Sequence, residues 1–158
     1  MYGQEQNTRE QILEQYTPDV KKLTAYLPWL QKVRGEDAAS TYEGEGKDKE
    51  TLLSIPVFDS TLLAFVKEAE KTQFVNKNYP YVYTRYHINS HEMERMILRE
   101  AKINEMDKFM GIISKYVLEG KYKPVAWKEA ISERIFQTAL EALSELFFKY
   151  TADPKEPR

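Results

Sequence analysis

Two histidines, His87 and His91, supply all of the chain's imidazole, and they stand four residues apart. That spacing brings two metal ligands to one face when both lie on the same helix. Glu92 and Glu94 follow closely. Yet Asn89 and Ser90, both good helix-capping residues, fall between the histidines, and Glu92 completes a capping-box-like start. The two rings are therefore expected on different segments. Neither a His-Glu-x-x-His motif nor a third ligand at a zinc-site spacing accompanies them, so capping and solvated surface roles are expected for both. The lack of cysteine excludes disulfides, thiolate metal sites and cysteine nucleophiles. Serines and threonines form no nucleophile elbow, and the glycines form no dinucleotide or phosphate-loop fingerprint. Glu129, Glu133, Glu141 and Glu145 lie on the expected outer side of a helix, where carboxylates are ordinarily solvated, and Arg134 beside Glu133 reads as surface charge. These patterns assign no catalytic residue, no cofactor and no metal ligand; an enzyme would need a site assembled across the fold.

A second constellation is aromatic and basic. Tyr79, Tyr81, Tyr83 and Tyr86 alternate through a segment in which Arg85 and His87 are interleaved. Alternation of this kind, with Tyr79-Pro80 favouring extended backbone, predicts an extended aromatic segment over residues 74–88. Between Lys71 and Lys102 the charge balance is +3, which leaves −5 for the rest of a chain whose net charge is −2. Tyrosine and arginine suit protein interfaces, where they give large contact areas with polar tips. Tyr79, Tyr81, Tyr83, Arg85, Arg95 and Arg99 are accordingly the expected partner-binding residues. The alternative is a nucleic-acid surface, in which the rings stack on unpaired bases and the cations meet phosphates. Glu92, Glu94 and Glu100 dilute the patch, and the protein partner is the leading expectation.

The elements that would hold this segment are mostly helical. Residues 104–150 form two amphipathic patterns joined by Gly120-Lys121-Tyr122-Lys123-Pro124. Met106, Phe109, Met110, Ile113 and Val117 share one face of the first, with Asn104 as its expected N-cap and Gly120 as a left-handed stop. Trp127, Ile131, Ile135, Thr138, Ala139, Ala142, Leu143 and Leu146 give the second a stripe about six turns long. Upstream, Ile12, Leu13 and Tyr16 face inward from a short helix, and Thr17-Pro18-Asp19 signals a helix restart. Pro28 should break the pattern of Val20, Leu23, Leu27 and Leu30. Residues 34–51 read as a flexible acidic loop. Leu52 to Phe58 reads as extended, Asp59 caps a helix through about Lys71, and Met93, Met96 and Ile97 give another helix its apolar side. The sum is an all-α domain of five to six helices carrying one short extended aromatic segment. Residues 1–16 make an N-terminal segment with a short helix, 17–150 one helical domain, and 151–158 a disordered tail.

At 158 residues the chain matches one ordinary domain, large enough for a core without staples. The polar start resembles no signal peptide, and no apolar run reaches membrane length, so a cytoplasmic protein is expected. Oligomeric state is not encoded in any recognisable pattern.

Several stretches together resemble a known group: Tyr26-Leu27-Pro28-Trp29-Leu30, Pro56-Val57-Phe58-Asp59-Ser60-Thr61-Leu62, Asn78-Tyr79-Pro80-Tyr81-Val82-Tyr83, and Ser114-Lys115-Tyr116-Val117-Leu118-Glu119-Gly120 followed by Trp127-Lys128-Glu129-Ala130. Their order, from Tyr26 to Leu146, is similar to that of small bacterial proteins of uncharacterised function, often met in accessory or mobile-element gene neighbourhoods. The resemblance implies a bacterial cytoplasmic protein and transfers no catalytic residue. The resulting expectation is a protein-interaction or regulatory module of a bacterial accessory system.

Overall fold

Thr8 opens the first helix by a reciprocal cap: its hydroxyl accepts from the Gln11 amide while the Gln11 side chain accepts from the Thr8 amide. The computed structural model describes residues 8–45 and 52–149. Helix α1, Arg9–Thr24, runs through Pro18 without the expected restart. Pro18 faces solvent, whereas Ile12, Asp19, Val20 and Leu23 are buried around it. Burial on both sides of the proline holds the helix together despite the lost backbone bond. The break falls later, before α2, Leu27–Lys32, where Pro28 occupies the first turn.

The segment expected to be a flexible loop contains α3, Gly35–Ala38, and β1, Ala39–Glu45; its remainder, 46–51, lies outside the described residues. β1 pairs antiparallel with β2, Leu52–Phe58, with Ala39 opposite Phe58 and Glu45 opposite Leu52. The expected extended segment is thus a strand. Asp59 then caps α4, Ser60–Glu70, by accepting from the Thr61 amide at 2.7 Å.

The largest departure concerns the aromatic segment. It is a helix, α5, Tyr79–Arg85, with Pro80 in its first turn. A proline there is pre-set for helical backbone and removes only an amide that has no intrahelical partner. Helical spacing regroups the tyrosines: Tyr79, Tyr83 and Tyr86 turn partly inward, while Tyr81 points outward with 66% of its surface exposed. Ser90, rather than Asn89, caps α6, His91–Glu100, by accepting from Met93. His87 precedes it with a positive φ of 55°, so the two histidines do not share a helix.

Helix α7, Met106–Glu119, is the central rod, packed against α4, α5, α6 and the helices that follow. It starts two residues after the expected Asn104 cap. Gly120 ends it in right-handed backbone, with φ −64°; the glycine is required by proximity, because a Cβ there would collide with the Trp127 ring. The long final pattern is two helices, α8, Val125–Ser132, and α9, Ile135–Ser144, separated by Arg134 in left-handed backbone at φ 60°. A π-helical turn, Glu145–Lys149, follows. The described residues therefore hold nine α-helices, more than the five to six expected, because α3 and α5 form in segments expected to be a loop and extended, and Arg134 divides the last pattern in two.

The core gathers Phe65, Phe74, Phe109, Tyr116, Phe136 and Phe147, all fully buried. Phe65 meets Phe136 edge-on at 5.0 Å and Tyr26 at 5.4 Å, geometries that suit the ring quadrupoles. Phe58 at the end of β2 meets Trp127 at 5.0 Å, tying the ribbon to α8. Phe136 and Leu140, absent from the expected stripe, are buried because the Arg134 kink rotates α9 relative to α8. No helix among the described residues is long and apolar enough to cross a membrane. The expected tail, 151–158, lies outside the described residues, as do residues 1–7.

Candidate functional site

Glu94 is almost completely buried, at 3% exposure. A carboxylate in that setting needs partners, and three helices supply them. Tyr83 of α5 donates to Glu94 Oε2 at 2.6 Å, and Tyr116 of α7 donates to Oε1 at 2.7 Å. His91, one turn before Glu94 on α6, places Nδ1 3.1 Å from Oε1 and 3.0 Å from the Tyr116 oxygen. Since the Tyr116 proton is committed to Glu94, Nδ1 must carry the proton that it shares with these two acceptors. The other ring nitrogen, Nε2, then faces Glu129 Oε2 of α8 at 3.7 Å.

Around this centre Lys115 lies over the Tyr116 ring at 4.4 Å and the Tyr83 ring at 5.7 Å, an arrangement favoured by the negative ring face. Lys115 also pairs with Glu119 at 3.4 Å, and Tyr79 donates to that same carboxylate at 3.2 Å. Burial, and after it the Glu94 carboxylate, drive the Tyr83 and Tyr116 hydroxyls far above the usual phenol range. Tyr86 is pushed up to about 12, first by burial and then by its hydrogen bond to Asp107 at 2.7 Å.

Chemically the centre is a clamp. Both oxygens of Glu94 are taken by protein donors, which leaves it poorly placed to accept a substrate proton. It joins α5, α6 and α7 through one acceptor, with α8 approached by His91. Among the described residues no group of three His, Cys, Asp or Glu side chains is arranged to hold a metal ion.

The outer side of α5 differs. Tyr79, Tyr81 and Val82 line a cleft of about 140 Å³ together with Asp107, Met110 and Gly111 of α7. Its walls are mainly apolar. Gly111 sets the depth of the approach, since a Cβ there would lie 2.5 Å from two Val82 side-chain carbons.

The six residues expected to form one surface are dispersed. Tyr79 and Tyr81 line the α5–α7 cleft, while Tyr83 turns inward to Glu94. Arg85 stands 3.6 Å from Asp107 and stacks over the Tyr86 ring at 5.1 Å. Arg95 donates to the Glu133 carbonyl at 2.9 Å and carboxylate at 3.1 Å, thereby bracing the turn between α8 and α9. Arg99 lines a different groove with Thr138, Glu141 and Leu146. The Glu94 centre was missed from sequence because Glu94 counted only as a neighbour of the histidines and as dilution of the basic patch. The legible signal was the three-residue spacing of His91 and Glu94; Tyr116 carried none. Comparisons with protein-family models, curated proteins and solved structures gave no match.

Proposed function

We propose that the chain is a protein-binding module that takes one apolar side chain of its partner into the α5–α7 cleft, with Tyr81 as the principal contact. The observation that carries this reading is Tyr81 itself, a large side chain 66% exposed beside a mainly apolar cleft of about 140 Å³. That volume is close to the roughly 150 Å³ known to hold a benzene ring, which is room for one side chain. An exposed tyrosine next to a pocket suited to one anchor is the usual make-up of an interface hot spot. The nucleic-acid alternative has less support, because Arg85 and Arg95 are engaged by carboxylates and Tyr83 is turned inward.

The test is capture of partners from a native lysate by the wild-type chain and by Tyr81→Ala, followed by affinity measurement on the isolated partner. Loss of about tenfold or more in affinity, with an unchanged melting temperature, is the expected result. An unchanged captured set and unchanged affinity would remove this cleft as the binding site.

A further inference from the structure

On another face of the molecule, the chain end of α2 and the start of α3 lie across a cleft of about 280 Å³ from the α8–α9 turn. Lys32 and Arg34 stand on one side, and Ser132, Arg134 and Gln137 on the other. We infer that this cleft binds a small molecule through a phosphate group.

Three observations converge on it. First, three cations, Lys32, Arg34 and Arg134, line the cleft; Arg34 is answered by Glu36 and Asp37, and Lys32 and Arg134 remain as the pair of charges that a phosphate dianion would meet. Among the described residues Lys32 and Arg134 form no side-chain hydrogen bond or ion pair, whereas Arg34 is occupied by Asp37 at 3.1 Å and Glu36 at 3.8 Å. Second, Arg134 sits in left-handed backbone at φ 60°. A long side chain is strained there, and glycine or asparagine would serve the turn better; the strain leaves a guanidinium, the side chain best shaped for phosphate, lining the cleft. Third, the walls are drawn together by Gly35, where any Cβ would run into the Ser132 hydroxyl. Ser132, whose hydroxyl is a neutral donor, lines the same cleft. Glu141 of α9, held by the amides of Gln31 at 3.2 Å and Gln137 at 3.0 Å, keeps its charge but is not among the residues that line the cleft. This site shares no residue with the α5–α7 cleft and stands independently of the partner-binding proposal.

Inorganic phosphate is the probe, titrated into the full chain at low salt and followed by amide NMR shifts. Saturable binding with a Kd of about 1 mM or below is expected, with shifts clustered at residues 32–36 and 131–137. Arg134→Gly should weaken binding about tenfold while holding or raising the melting temperature, since glycine relieves the strained φ. Lys32→Ala should weaken it about threefold. Acetate, a monoanion, should not saturate in the same range. Shifts that stay linear to about 20 mM phosphate, or equal binding by both variants, or equally tight binding of acetate, would each overturn the assignment.

Discussion

The two faces of α5 carry the same residue type to opposite ends. Tyr83, inside, gives its hydroxyl to a buried carboxylate, and its ring is covered by packing and by Lys115. Tyr81, two residues earlier, leaves most of its ring in water beside an apolar cleft. The inner tyrosine has its hydrogen-bonding and packing capacity used up within the chain. The outer one has both in reserve, which is the physical difference between a residue that holds a fold and one available to a partner. The inner clamp also fixes the outer face, because a helix of seven residues has too few internal hydrogen bonds to be stable by itself.

The strongest way to break the inner side is Glu94→Ala. It strands the hydroxyls of Tyr83 and Tyr116 in the interior, and chemical denaturation should show a loss of about 3 kcal/mol or more. Glu94→Gln, which keeps the volume and one acceptor oxygen, should recover part of that loss. Gly111→Ala places a methyl against the branched, buried Val82 at 2.5 Å. A destabilisation of about 2 kcal/mol is expected, together with altered chemical shifts throughout α5. Tyr116→Phe removes one charge-assisted hydrogen bond and leaves the packing in place, for about 1.5 kcal/mol.

The same centre sets an alkaline limit. Burial and the Glu94 carboxylate raise the Tyr83 and Tyr116 hydroxyls above the ordinary phenol value of about 10, so the folded state favours their protonated forms. Their contribution is complete below pH 10 and is lost progressively as pH rises above it, because the unfolded chain ionises first. Tyrosinate absorbance should therefore show a late step in which Tyr83 and Tyr116 ionise only as the circular dichroism of the fold collapses. A single non-cooperative rise with the fold intact would erase the distinction between the faces. The smallest expected effect on stability belongs to Tyr81→Ala, within about 0.5 kcal/mol of wild type. If it destabilised as much as the loss of the Tyr116 hydroxyl, Tyr81 would be a packing residue and the comparison would fail.

Much of the helical framework was legible. The Asp59 cap, the break at Pro28, the extended character of residues 52–58 and the inward face of α7 all follow from local chemistry that the structure retains. Local rules failed where distant contacts outweigh them. Pro18 did not end α1, because Asp19 just beyond it is held by the Gln73 backbone and side-chain amides, each at 3.0 Å. Alternating tyrosines suggested a strand, yet their hydroxyl acceptors, Glu119, Glu94 and Asp107, all lie on helices to one side, and helical spacing turns Tyr79, Tyr83 and Tyr86 towards them. Arg134 gave no hint of a left-handed turn, since its residue type argues against one.

From the sequence alone came a chain of one-domain size, mainly helical, with no cysteine chemistry and no local catalytic or metal motif. Periodicity and capping are encoded within a few residues of where they act, so they survive without knowledge of the fold. Only the tertiary structure decided that Glu94 is a buried acceptor shared by three helices, that Tyr81 and Tyr83 part ways, and that Lys32 and Arg134 face one cleft. Each of those facts depends on side chains tens of residues apart meeting at distances of a few ångströms, and no local pattern records such a meeting.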